Sequence, residues 1–189
     1  MESFDAFVFE LLEESKSFFE TAKRTNDEFS KKAFLNASML LSISAIEAGI
    51  NSIIADILIE PYIDHYPTHD QGLLLEKDVK LENGKFVLSN SLKISRLTDR
   101  IEYLYSKFSK KPLKQDSEFM KWYTLLKQSI DYRNKLVHPK EGIELTENQI
   151  ENTLLSVLEV LNKLFLVIYK KKIPVYDLGL NTTESISIN

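Results

Sequence analysis

The chain has 189 residues, the length of a single domain and enough to bury a sizeable core. Apolar residues make up 43% and charged residues 28%, with only 5 Gly and 5 Pro, which is the balance of a helix-rich globular protein and not of a disordered one. A net charge of -4 argues against broad, sequence-blind affinity for nucleic acid, because that affinity comes from neutralising phosphates; the lack of cysteine excludes disulfides and thiolate metal sites and points to a cytoplasmic setting.

The first residues, "MESFDAFVFELLEESK", scatter acids through an apolar pattern without a basic leader, so neither a signal peptide nor a transit peptide is expected. From Ser3 to about Arg24, Phe7, Val8, Leu11, Leu12, Phe18 and Phe19 recur at helical spacing against Glu10, Glu13, Glu14 and Lys16. This predicts an amphipathic first helix, Phe4 included. After "RTNDE", the stretch from Phe29 to Ile59 is almost free of charge between Ala33 and Ala55 and predicts a long helix buried on most sides. Pro61 and Pro67, with His65 and His69, predict a loop. In "KDVKLENGKFVLS" the Asn83-Gly84 pair fits a two-residue type I′ turn, which places Leu81 opposite Phe86 and Glu82 opposite Lys85.

A helix is expected from about Leu92 to Phe108, and another from Asp116 or Ser117 to His138. Thr146 and Gln149 form a capping box for a last helix that carries Ile150, Leu154, Leu158, Leu161 and Phe165 to the stop Lys170-Lys171-Lys172. The expectation is an all-α, up-and-down bundle of about five helices with a small β-hairpin insertion near residues 78-89. Residues 1-172 form the helical domain and 173-189 an extended C-terminal tail. No apolar run is expected to cross a membrane, and the sequon at Asn181 carries no weight in a cytoplasmic protein.

One segment, "DYRNKLVHP", residues 131-139, breaks the pattern. On a helix, Phe119, Trp122, Leu126, Ile130 and Val137 fall on one arc, and Arg133 lies in the middle of it. A guanidinium there needs a carboxylate or must face a groove that admits an anion. The second helix has a matching oddity, since Glu47 is its only charge between Lys32 and Asp56, and Asn51 follows one turn later. Glu47 and Asn51 are therefore expected to meet Arg133 or its neighbours across the helix pair, either as a structural ion pair or as support for a site. On a regular helix the His138 ring would diverge from Arg133, but Pro139 is expected to end the helix at or just before His138 and free the ring to swing toward the arginine's side. Asn134, four residues earlier, is placed to hold one ring nitrogen and leave the other for chemistry; the plain alternative is a histidine that caps its helix.

The stretch "RNKLVH" resembles the R-x4-6-H motif of the HEPN superfamily, with the polar Asn that often follows its arginine, and "IEAGIN" is similar to the E-A-x-x-N stretch of its second helix. The resemblance covers the helical pattern but not the hairpin or the tail. It implies a metal-independent endoribonuclease that needs no cofactor, acts as a homodimer with motif helices facing across a cleft, and takes RNA as substrate. In such a site His138 moves protons, Arg133 stabilises charge on the phosphoryl oxygens, Asn134 orients the ring or binds phosphate, and Lys135 and Lys140 add local positive potential. Attack by the 2′-hydroxyl leaves a 2′,3′-cyclic phosphate. Similar domains serve as toxins or in phage defence, so any antitoxin or nucleotidyltransferase-like partner would be a separate chain. The alternative implied by the same resemblance is a non-catalytic domain that binds a nucleotide or a protein.

Other segments carry less. His65 and His69 have the spacing of metal ligands on a helix, but Pro67 between them argues for a solvated loop. Tyr103, Tyr105, Phe108, Trp122 and Tyr123 read as core before they read as a base-stacking surface, and "SKKPLK" and "YKKK" read as solvated charge before they read as RNA contacts.

Overall fold

The computed structural model describes residues 2-59, 62-140 and 142-182; Pro61, the end of the sequon and residues 183-189 of the expected tail lie outside the described residues. Helices α1 (Glu2–Arg24) and α2 (Glu28–Ile57) form a hairpin, and α2 starts where the Asp27 carboxylate accepts from the Ser30 backbone N–H at 2.8 Å. Their packing is close because small residues meet: the buried Ser15 hydroxyl donates to the Ser38 carbonyl at 2.8 Å and lies 2.7 Å from the Ser42 hydroxyl. On the other side of α2 lie α4 (Leu97–Ser109), α5 (Ser117–Val137) and α6 (Glu147–Tyr169). The core runs between them through Leu12, Met39, Ile43, Ile46, Ile50, Ile101, Leu126, Leu154 and Leu161.

Among the described residues there are six helices where five were expected. The addition is α3 (Thr68–Leu75), in the segment read as a loop. Pro67 does not break this helix. It precedes the first turn with an extended ψ of 146°, a position where the missing N–H costs nothing, and His65 falls before it in a short 3-10 turn. The two histidines thus belong to different elements. His65 lies against Tyr62 and His69 against Phe86, with ring centroids 6.0 Å and 4.4 Å apart.

The hairpin has the expected register, Leu81 opposite Phe86 and Glu82 opposite Lys85, between β1 (Lys77–Glu82) and β2 (Lys85–Leu92). Asn83 and Gly84 both have positive φ, 49° and 77°, as a type I′ turn requires. The strands extend past residues 78-89, and β2 runs to Leu92, where the next helix is expected to start; α4 begins at Leu97. An irregularity between Lys77 and Val79 allows Leu92 to pair with Lys77. α3 presses onto β1 at Gly72, where a Cβ would lie 2.5 Å from Val79 Cγ2 and 3.0 Å from the Lys77 carbonyl oxygen.

The remaining helix ends follow the sequence. Thr146 and Gln149 form a reciprocal capping box on α6. Asp116 caps α5 by accepting from the Phe119 N–H at 2.9 Å, and the same carboxylate holds Tyr105 of α4 at 2.7 Å and Lys163 of α6 at 2.8 Å. Burial pushes the Asp116 carboxyl up, but the hydrogen bonds from Lys163, the Phe119 amide and Tyr105 outweigh it and hold it down at about 2. Burial, followed by the bond to Asp116, pushes the Tyr105 phenol up to about 12. The Asp116 value lies below the 3.8 of a free aspartate, so its contribution is complete above that pH and is lost as pH falls through about 2. Asp116→Asn, which keeps the cap, should flatten the fall in stability over this acid window; chemical denaturation measured at a series of pH values checks it.

After α6 the chain does not run extended. Ile173 is buried, Tyr176–Leu178 make one 3-10 turn, and the Tyr176 hydroxyl donates to Glu159 at 2.9 Å. The chain then returns to α1, where the Asn181 carbonyl accepts from the fully buried Lys16 at 3.4 Å.

Contrary to the sequence expectation about membrane spans, α2 and α6 are each long and apolar enough to cross a membrane by length and hydropathy. Half of each such window is buried inside the fold, where the two helices pack on each other, and this arrangement is compatible with a soluble bundle.

Candidate functional site

The site is built on the last two turns of α5. The buried stripe of this helix, Phe119, Tyr123, Leu126 and Ser129, passes along the bundle, and Arg133 stands where it reaches the edge, its side chain 25% exposed. Its Nη2 donates to Glu47 Oε1 on α2, and its Nη1 donates to Asn134 Oδ1 at 3.2 Å. The expected pairing of Glu47 with Arg133 is present. Glu47 is itself 39% exposed, so the pair sits at a water-accessible rim and contributes about 1 kcal/mol or less to stability.

Asn51 does not join it. Its Oδ1 accepts from Arg100 Nη1 of α4 at 2.8 Å, and Arg100 also approaches Glu76 Oε2 at 3.7 Å. Arg100 is only 5% exposed, and its Nε has no partner among the described residues. The sequence reading did not single it out. The signal was there: Arg100 interrupts the apolar series Leu97, Ile101 and Leu104 just as Arg133 interrupts its own. The Glu76 carboxylate also accepts from the Ser95 backbone N–H at 3.1 Å, and its backbone carbonyl accepts from the Lys93 N–H at 2.8 Å, so Glu76 closes the base of the hairpin. α2 is buried on most sides as expected, with one exposed strip, Leu40, Ser44 and Asn51, that leaves a polar-edged face beside Arg133.

His138 behaves as Pro139 dictates. Helix α5 ends at Val137, and His138 leaves the α region with φ −125° and ψ 66°, its backbone N–H still donating to the Asn134 carbonyl at 2.9 Å. Its side chain is exposed and has no hydrogen-bond partner among the described residues. The expected bond from Asn134 to the ring is not formed; the Asn134 side-chain oxygen accepts from Arg133 instead.

His138 opens instead onto a groove of about 650 Å³ between the end of α5, the loop after it and the start of α6. Asp131, Asn134, Lys135 and His138 share one stripe of α5 by their spacing of three and four, and all four line this groove with Lys140 and Tyr132. Arg133 does not line it. The two motif residues therefore occupy different sides of α5, and Asn134 lies between them, accepting from Arg133 with its side-chain oxygen while lining the groove that His138 also lines. No group of three or more His, Asp or Glu side chains arranged to hold a metal ion is present among the described residues.

Comparison with protein-family models, with curated proteins and with solved structures gives no match to this chain.

Proposed function

We propose that this protein is a metal-independent endoribonuclease of HEPN type that acts as a homodimer in the cytoplasm, of the toxin or defence kind. The observation that carries the reading is the placement of Asn134. Its side chain accepts from a guanidinium that Glu47 holds on the far side, and it lines, together with the exposed His138, a groove large enough for part of a nucleotide.

The chemistry assigns each group a task. An imidazole nitrogen of His138 takes the proton from a ribose 2′-hydroxyl, and the 2′-oxygen attacks the adjacent phosphorus. Negative charge gathers on the phosphoryl oxygens, where Arg133, held by Glu47 and the Asn134 side-chain oxygen, supplies fixed donors that need no reorganisation. The 5′-oxygen leaves with a proton returned by an imidazolium, and the product ends in a 2′,3′-cyclic phosphate. Because Arg133 and His138 of one chain lie on different sides of α5, the reading needs a second copy whose α5 end closes the cleft. Lys135 and Lys140, both exposed beside His138, hold the flanking phosphates on an otherwise acidic surface.

A second reading, a non-catalytic domain that binds a nucleotide or a protein, is favoured by one observation: Glu47 neutralises Arg133, and Arg133 stays out of the His138 groove. Purified protein incubated with end-labelled RNA in excess chelator, with its mass followed by sedimentation, separates the two. The ribonuclease reading expects a dimer that cuts RNA; a dimer or monomer that binds RNA or nucleotide without cutting it supports the second.

A further inference from the structure

The groove beside His138 contains two amide side chains whose orientation is set by their partners. The Gln149 side chain accepts from the Thr146 backbone N–H at 2.8 Å, and a backbone N–H is only a donor, so the accepting atom must be the amide oxygen. Its NH2 branch is then left over, without a partner among the described residues. The same argument holds for Asn134. A guanidinium only donates, so the atom 3.2 Å from Arg133 Nη1 is the amide oxygen, and the NH2 branch is the one left for the groove. Two amide donors thus border one groove, each oriented by a bond on its other side.

The rest of the lining suits a planar heterocycle. Tyr132 is half-buried, its ring is packed against the core, and its hydroxyl has no hydrogen-bond partner among the described residues, so one part of the ring is anchored and another part is available. Ile143 adds an apolar wall, and Asp131 adds a carboxylate that accepts. An aromatic ring, an aliphatic wall, oriented amides and flanking lysines together form the chemistry that holds a nucleobase by stacking and reads its edge.

We propose that this groove is a nucleobase subsite selective for a keto base, guanine or uracil, next to the bond that is cut; the proposal rests on the ribonuclease reading for its substrate. Guanine presents two adjacent acceptors on one edge, and uracil presents two carbonyl oxygens around an N–H that Asp131 can accept. Adenine and cytosine place an amino group where a donor of Asn134 or Gln149 already points, and two donors facing each other leave both unpaired. Tyr132 supplies the stacking surface, which is indifferent to base identity, and Gln149 is a specificity residue that takes no part in the proton transfers.

Gln149→Glu tests this cleanly, because glutamate keeps the capping box with Thr146 while it replaces the NH2 donor by an acceptor. The assay measures binding of short 2′-O-methyl RNAs, which cannot be cut, that differ in a single base. The wild-type chain should bind the guanine and uracil forms about tenfold more tightly than the adenine and cytosine forms. Gln149→Glu should erase that ratio with unchanged thermal unfolding, and Tyr132→Leu should weaken all four about tenfold while keeping it. Equal binding of the four bases by the wild type, or a ratio untouched by Gln149→Glu, overturns the subsite even if RNA is cleaved. Failure of the ribonuclease reading looks different: keto-selective binding would persist, while the corresponding natural RNAs are never cut. A chain that binds none of these RNAs overturns both.

Discussion

Alanine in place of His138 is expected to lower RNA cleavage by about 10²–10⁴-fold, the usual worth of a positioned proton-transfer group, and to leave thermal unfolding unchanged. The second half of that statement comes from the geometry. The helix-ending bond of residue 138 is made by its backbone N–H to the Asn134 carbonyl at 2.9 Å, which any residue before Pro139 can make, and its ring is exposed without a partner among the described residues. A ring whose role was to complement the helix C-terminus would cost about 0.3–1 kcal/mol of stability on removal. Parallel cleavage assays and thermal melts of His138→Ala therefore separate chemistry from capping. A melt that falls while cleavage stays at wild-type level would assign the ring to the helix end.

Arg133→Ala is expected to cost about 10²–10³-fold in cleavage, as the loss of a fixed donor to a developing oxyanion does, with about 1 kcal/mol or less of stability. Both figures follow from its placement at the rim, where the loss of the guanidinium leaves a Glu47 that water can reach. Lysine should not restore the activity. Arg133 makes two contacts in different directions, Nη2 to Glu47 and Nη1 to Asn134, and a single ammonium group cannot keep both while also facing a phosphate. Glu47→Gln should act more weakly, since glutamine still accepts from the guanidinium. The kinetics of the three variants, set beside their denaturation curves, check this order. Loss of several kcal/mol in Arg133→Ala without loss of cleavage would make the pair a structural element and favour the binding-domain reading.

How much of this was visible in the residues varies by element. The capped helices were legible because their signals are local: Asp116 and Thr146 each satisfy an amide within three residues, and Asn83-Gly84 fixes the hairpin register from its two turn dihedrals. The helix at Thr68–Leu75 is hidden in the sequence because Pro67 reads as an interruption between two histidines, whereas it sits just outside the first turn and starts the helix. The extension of β2 to Leu92 was hidden for a different reason. It depends on an irregular pairing with Lys77, a contact between distant residues that no local pattern announces.

At the site, the Glu47 partner of Arg133 was readable from two charges that interrupt apolar surfaces. Asn51 was not, because its real partner, Arg100, belongs to a third helix that one-helix-pair reasoning left out. The divergence of Arg133 and His138 around α5 follows from their spacing of five residues, and the break before Pro139 does not bring the ring back to the arginine side; His138 lines a groove that Arg133 does not.

The central claim is that the α5 end performs 2′-hydroxyl attack on RNA, and the chemistry at the new 3′ ends tests it most directly. An RNA cut by the purified protein in excess chelator should yield fragments ending in 2′,3′-cyclic phosphate, with a single 2′-deoxy substitution at the mapped cleavage position abolishing that cut. Fragments ending in a 3′-hydroxyl, or cleavage that continues at the deoxy position, would contradict it.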